Sequence, residues 1–493
     1  MLLEPGITCW RREPSGRAAL LVDMQAYYDA AMTAMSKARY SVHLLNWAFE
    51  PETLFHPQAG CTGPDGDRIA NFLKRLAADN PELDVRVLCW QSAAPVAATQ
   101  NWFPIADRWE FKGSRVKFLL DGKLPAGASH HQKMIIVDDA IAFCGGGDIG
   151  PDRWDTPLHL DDDPRREVSK NAKKDFASRH EVMGLVEGPA ARALGQVFRD
   201  RWARRTGEVL EEAPASRPAW PSGVRHQFTD VEVGLSRTMA AWRQYPEVRE
   251  VEALHLAAIR EARRCIYMEN QYFTSPLVCG ALASRLSEPT GPEVVLIGTE
   301  KSPSYFDQIT MDGTRVRFVE RLKRADQYGR LQVYSPVTLL GRIIIVHAKL
   351  TIIDDRLLRI GSANINNRSM GFDSECDMSF EATGRAGSGN RAEILALRTR
   401  LIAHWLGCEE STVHAAIQKA GGVGAGIEVL RLAGYARLRT LQLKPLGPVT
   451  GLIAAYHLGD PFGPRDSWHA WGRKRAAINA DRRGRERMTS VRG

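Results

Sequence analysis

No run of 18 or more apolar residues occurs in the chain, so a helix of bilayer-spanning length is not expected. None of the eight cysteines forms a Cys-x-x-Cys pair, which leaves zinc ribbons and thioredoxin-like motifs unsupported. They lie scattered, several in apolar runs, as expected of buried thiols in a reducing compartment. The opening residues, MLLEPGITCWRREPSGRAALL, lack a basic stretch leading into a long apolar one and are not expected to act as a secretory signal. The pairing of low hydrophobicity with high charge that marks disorder is also missing, at 44% hydrophobic and 25% charged residues. Charge of one sign is scarce except at one end. Residues 473–493 hold eight Lys and Arg against Asp481 and Glu486 and carry most of the net charge of +8. The body is therefore near neutral, which argues against a nucleic-acid groove. The basic tail is expected to be a flexible, solvated end, with attraction to anionic phospholipid or nucleic acid as the functional alternative.

A length of 493 residues suggests two or three domains, and an internal repeat divides them. A helical pattern over Met24–Ala38 leads into an apolar strand, Tyr40–Trp47; Val248–Arg264 leads likewise into Cys265–Tyr272. Second strands follow at DVRVLCW from Asp84 and EVVLIGT from Glu293, and third strands at RVKFLLD from Arg115 and LQVYS from Leu331. Then come KMIIVDDAIAFCGG and KLTIIDDRLLRIGS, each a strand, an Asp-Asp turn and a strand. Apolar runs without strict alternation fit strands covered on both faces. The expectation is α/β: two similar lobes, each a mixed sheet flanked by helices, related by a pseudo-two-fold with one site at their interface. The lobes are placed at 1–215 and 216–472, with 473–493 as the tail. The Pro/Ala/Ser-rich stretch Glu208–Gly223 marks the boundary, and the charged stretch Asp152–Ser178 reads as a surface insertion.

The chemistry-bearing motifs are His131-Gln132-Lys133 with Asp138, then Gly145 after six residues, and His347-Ala348-Lys349 with Asp354, then Gly361 after six residues. On a strand, residues two apart project together, so each His stands beside its Lys. If the lobes meet face to face, two imidazoles and two ammonium groups converge. One imidazole can attack phosphorus and the other can protonate the leaving oxygen and later activate water, while Lys133 and Lys349 offset charge on the non-bridging oxygens. Such a site calls for no metal or cofactor, and no carboxylate cluster with metal-ligand spacing is visible in the sequence. Asp138 and Asp354 point toward turns and are assigned a structural role. Aromatics in Asn101–Pro104 and in Ser304–Phe306 form a core cover or an amphipathic rim at the site mouth.

The two motifs resemble the duplicated HKD motifs of the phospholipase D superfamily. GSANINNRSMGFDSE (Gly361–Glu375) and YMENQYF (Tyr267–Phe273) are similar to blocks of the eukaryotic-type enzymes, as are RWDTPLH (Arg153–His159) and RHEVMGLVEGPAA (Arg179–Ala191). The resemblance covers about residues 5–410. It implies His131 as the phosphohistidine nucleophile and His347 as general acid and then base. It places Lys133, Lys349 and Asn364 on the phosphate oxygens, and Glu181 and Glu375 as the carboxylates that orient the histidines and favour imidazolium. The first half has Gly146 and Asp148 where the second has Ser362 and Asn364, so these positions are expected to bind the substrate phosphate asymmetrically. Glu181 stands where Asp is usual.

The implied activity is that of a phospholipase D, hydrolysing glycerophospholipids to phosphatidic acid, with transphosphatidylation as an accessory outcome. The alternatives are a cardiolipin synthase-like phosphatidyltransferase and a nuclease-type phosphodiesterase. The expected partner is a phospholipid surface without obligatory nucleic acid. The chain is expected to act as a monomer, cytoplasmic or peripheral to a membrane, with signal-less export as an effector left open.

Overall fold

The computed structural model describes residues 1–57, 68–92, 108–166, 176–304, 307–383, 387–466 and 469–489. The aromatics of Asn101–Pro104, together with Tyr305, Phe306 and Cys61, lie outside the described residues.

In the first half the chain forms β1 (Arg11–Val22), β2 (Ser41–Asn46), β3 (Asp84–Trp90), β4 (Lys117–Asp121), β5 (Met134–Val137), β6 (Ile141–Gly145), β7 (Arg179–His180) and β8 (Val182–Glu187). The second half forms β9 (Phe228–Met239), β10 (Val248–Arg249), β11 (Cys265–Glu269), β12 (Glu293–Ile297), β13 (Leu331–Pro336), β14 (Ile345–Val346), β15 (Leu350–Ile353), β16 (Leu357–Gly361), β17 (Glu375–Glu381) and β18 (Leu438–Thr440). Short apolar runs such as MIIV in β5 and LTII in β15 are buried at every position. That is why they read as continuous rather than alternating.

The strands are ordered β4-β3-β2-β5-β6-β8-β1 and then β9-β17-β16-β15-β11-β12-β13-β18. The second half repeats the order of the first: three parallel strands lead into antiparallel ones. The two halves do not form separate sheets, as the sequence reading had it. β1 and β9 pair antiparallel along most of their length and fuse them into one. Both joining strands are long and carry Pro, Gly or charge, which hid them in the sequence.

Helices cover both faces. One core cluster runs across the join and includes Leu20, Val233 and Met378 of the sheet together with Trp202 of the helix Pro189–Thr206 and Trp405 of the helix Gly387–Leu406. On the other face each half has its own cluster. The Asp-Asp turns hold Asp138, Asp139, Asp354 and Asp355 at φ of 50–55°, the left-handed pair that a tight type I′ hairpin needs and that Asp tolerates.

Two expectations are corrected. The basic tail is a helix, Ala470–Thr489, packed on the helix Pro276–Leu286. Glycines allow the contact: a Cβ at Gly280 would lie 2.1 Å from the Asp481 carbonyl oxygen, and one at Gly484 would lie 2.1 Å from that of Leu277. Its arginines Arg482 and Arg485 face outward while Ala480 and Met488 are buried, so the charge is compatible with order. The stretch 152–166 is not a surface insertion either: Trp154, Asp155, Thr156, His159 and Arg166 are buried, because the charged groups pair internally. Among the described residues no helix is long and apolar enough to cross a membrane.

Candidate active site

Each His-x-Lys triplet lies just before its strand, β5 or β15. Each is held from the opposite half. His131 donates its backbone N–H to the Ser374 carbonyl at 3.0 Å, and His347 donates to the His180 carbonyl at 2.8 Å, extending the short β7–β14 ladder. Those partner segments carry the carboxylates. Nδ1 of His131 lies 3.0 Å from Oε2 of Glu375, and Nδ1 of His347 hydrogen-bonds Oε2 of Glu181. The pairing is therefore crossed: the glutamate that follows one motif serves the histidine of the other. Nδ1 is thus occupied in both rings, and Nε2 is the nitrogen left for the cavity.

That cavity, of about 880 Å3, is lined by both histidines and by Asn364, Arg153, Arg179 and Arg473. Trp47, Trp90 and Leu124 add apolar wall. Arg153, Arg179 and Arg473 went unassigned in the sequence. Arg473 was counted with the tail, yet it is buried and donates to the carbonyls of His457 and Leu458.

Lys133 and Lys349 are fully buried, and each ammonium donates to the carbonyl of its own motif histidine. Lys133 also lies 3.4 Å from Asp148. The Asp148 carboxylate accepts the N–H groups of Trp47 and Ala48, both at 3.0 Å, and so fixes the loop after β2. Ser362 is buried and donates to Glu375 at 2.5 Å; Ser369 donates to its other oxygen at 2.6 Å. At Gly146 a Cβ would lie 2.5 Å from Glu181 Oε1 and 2.7 Å from Lys349 Cδ. Gly146 and Ser362, expected to bind substrate, instead shape the space around the two glutamates away from the cavity wall. Asp148 reaches the wall but spends its carboxylate on the loop and on Lys133.

Asp138 accepts the N–H groups of Arg39, Tyr40 and Ser41 at 2.7–2.9 Å, and Asp354 accepts those of Arg263, Arg264 and Cys265 at 2.6–2.9 Å. Each clamps the entry to the neighbouring strand.

Burial pushes the carboxyls of Glu181 and Glu375 up to about 7 against the pull of Lys349 and Lys133. It pushes the Lys349 ammonium down to about 7, opposed by Glu181. Both motif imidazoles are driven well below their usual value, first by burial and then by the neighbouring lysines. Desolvation and the neighbouring ammonium groups therefore act on these rings against the two carboxylates that were expected to favour imidazolium.

His180 is fully buried next to Glu181, between Asp23 and Glu269. With His159 and His404 it forms a His/Asp set that no linear spacing announced, since the four residues come from distant segments.

Fold and site define a class: mixed-sheet α/β proteins with a duplicated His-x-Lys-x(4)-Asp motif around one cavity. The family model described as Cardiolipin synthase, PLD-like domain, matches residues 255–387. Phospholipase D A of Dictyostelium discoideum is 26% identical over 424 residues, covering 73% of this chain and 32% of its own length. Phospholipase D1 of Saccharomyces cerevisiae is 23% identical over 523 residues, covering 86% and 30%. This chain thus spans about a third of the length of these relatives. Among solved structures, phosphatidylserine synthase of Haemophilus influenzae Rd KW20 has a TM-score of 0.55 at 13% identity, covering 95% of this chain and 96% of that one, a likeness of fold. These matches and the duplicated motif support the phospholipase D superfamily as the family this chain resembles.

Proposed function

We propose that this protein is a phospholipase D, cleaving the head-group phosphodiester of glycerophospholipids to phosphatidic acid through a phosphohistidine. The observation that carries this reading is the pair of imidazoles, each tied through Nδ1 to a buried glutamate, lining one cavity. Nε2 of His131 attacks phosphorus, the bond from phosphorus to the head-group oxygen breaks, and His347 gives that oxygen its proton. In the second step His347 takes a proton from water, the hydroxide attacks phosphorus, the P–N bond breaks and His131 returns to neutral imidazole.

The nucleophile needs a neutral ring, which burial supplies. The acid needs a charged ring, and the anionic phosphodiester itself favours protonation of His347 when it binds. Lys133 and Lys349 offset the charge that builds on the non-bridging oxygens, and Asn364 donates to them from the wall. The chain acts as a monomer on a phospholipid surface, where the apolar wall of Trp47 and Trp90 accepts the less polar part of the substrate.

An alcohol in place of water gives transphosphatidylation. The match to the cardiolipin synthase model makes a phosphatidyltransferase the second reading. Mass spectrometry of products from mixed phospholipid vesicles, with and without ethanol, separates the two. Phosphatidic acid in water and phosphatidylethanol with ethanol support the first reading. Products formed only with a second phospholipid as acceptor support the second. Cleavage of nucleic acid with lipid untouched would overturn both.

A further inference from the structure

We propose that Asp23, His159, His180 and His404 bind one zinc-class divalent ion, a buried structural site that ties the two halves together behind His347.

The four residues come from the start of the helix Asp23–Met35, the 152–166 segment, β7 and the helix Gly387–Leu406. One ligand atom from each lies within 4.8 Å of all the others. Four ligands at about 2.0–2.1 Å from a tetrahedral zinc stand about 3.3 Å from one another. Here Nε2 of His159 and Nε2 of His404 are 3.1 Å apart, Nδ1 of His180 is 2.9 Å from Oδ1 of Asp23, and Nε2 of His159 is 3.8 Å from Oδ2 of Asp23.

The hydrogen-bond pattern points the same way. Nδ1 of His159 lies 2.9 Å from Asp155, and Nε2 of His180 lies 3.0 Å from Glu269. Nδ1 of His180 faces Asp23 at 2.9 Å while its Nε2 faces Glu269, so the ring serves both carboxylates either with a proton on each nitrogen or with Nε2–H on Glu269 and a metal between Nδ1 and Asp23. Asp23 Oδ2 accepts no hydrogen bond, with His159 Nε2 facing it at 3.8 Å. Asp23 and His180 are at least 99% buried. Such a set calls for a cation, and an outer carboxylate on each of two imidazoles is the usual support of a metal-bound histidine. Three imidazoles and one carboxylate favour zinc over calcium or magnesium. His404, only partly buried, marks the entry path.

The placement has a mechanical consequence. The His180 carbonyl accepts the N–H of His347, and Asp23 Oδ1 accepts the N–H of Glu181 at 3.2 Å. A metal here would hold the backbone of one histidine–glutamate pair without touching the cavity.

The test is metal content by mass spectrometry on the untagged full-length chain, prepared with zinc and dialysed, beside cobalt titration of chelator-stripped protein. We expect about one equivalent of zinc and the intense visible bands of tetrahedral cobalt, falling to about a tenth or less in His404→Ala with an unchanged circular dichroism spectrum. His414→Ala, an exposed histidine elsewhere, should change neither. Parent protein that holds neither ion overturns the proposal, whether or not the variant folds, and leaves a hydrogen-bonded charge cluster. So does stoichiometric metal that survives in His404→Ala. Neither result depends on the lipid chemistry proposed above.

Discussion

His131 and Glu375 are 244 residues apart in sequence and 3.0 Å apart in the fold. The contact crosses the junction between the halves, and His347–Glu181 crosses it in the other direction. Neither half can therefore orient its own histidine. An intact site requires both halves in register, which the β1–β9 join and the β7–β14 ladder provide.

The crossing sets which variants should behave alike. His131→Ala and His347→Ala should each lower kcat on the order of 10^3-fold or more with folding intact. With a substrate whose leaving group needs no protonation, His347→Ala should still form the covalent intermediate in a single turnover, and His131→Ala should not. Glu181→Gln should follow the His347 pattern and Glu375→Gln the His131 pattern, each more mildly. If each glutamate variant instead matches the histidine of its own half, the crossed assignment is wrong.

Glu375 also links the site to stability. Its folded-state value of about 7 lies above the 4.5 of an ordinary glutamate. Between those values the folded protein holds a proton that the unfolded chain has released, so this group's contribution to stability falls as pH rises through that window and is fully lost above it. Glu375→Gln removes the titration. Its unfolding free energy relative to the parent should therefore improve from pH 5 to pH 8. Urea unfolding at the two values checks this, and a difference that stays flat or worsens would mean that Glu375 is ionised throughout.

The parts legible in sequence share a physical reason. The strands β5 and β15 are short, fully buried runs, β2 and β3 are buried apart from Asp84, and the duplicated triplets keep equal spacing because each sits at the mouth of an equivalent strand. Which glutamate serves which histidine was not legible, because linear order carries no information about a crossed interface. β1 was hidden by Pro14, Gly16 and its charges, although its outer half pairs as well as its inner half. Arg473 and the tail helix were hidden because eight cations in a short stretch read as solvent-exposed, whereas opposed glycines let that helix pack and leave most of its arginines outward.

Asp138 and Asp354 make equivalent clamps in unequal surroundings. Asp138 is 7% exposed, whereas Asp354 is only half-buried and two of the residues it clamps, Arg263 and Arg264, are exposed. Removing a charged acceptor from buried N–H groups costs about 2–4 kcal/mol, and water offsets part of that where it has access. Asp138→Ala should therefore destabilise more than Asp354→Ala. Asp138→Asn, which tolerates the φ of 54°, should fall between parent and Ala. Equal losses in urea unfolding for the two alanine variants would show that turn strain, common to both, dominates over the clamp.

Gly146 provides the closest test of how the two glutamates are held. The second half places Ser362 here and uses its hydroxyl to hold Glu375, whereas the first half has no side chain and fills the space with the Glu181 carboxylate itself. A methyl group at Gly146 would meet Oε1 of Glu181 and the stem of Lys349, both of which bear on His347. Gly146→Ala should therefore lower kcat about 10- to 100-fold with little change in KM. Shortening the acid should give the space back. Glu181→Asp combined with Gly146→Ala should be more active than the product of the two single losses implies, a coupling that a double-mutant cycle on kcat measures. Strictly multiplicative losses would mean that Gly146 serves its own backbone and not the seating of Glu181.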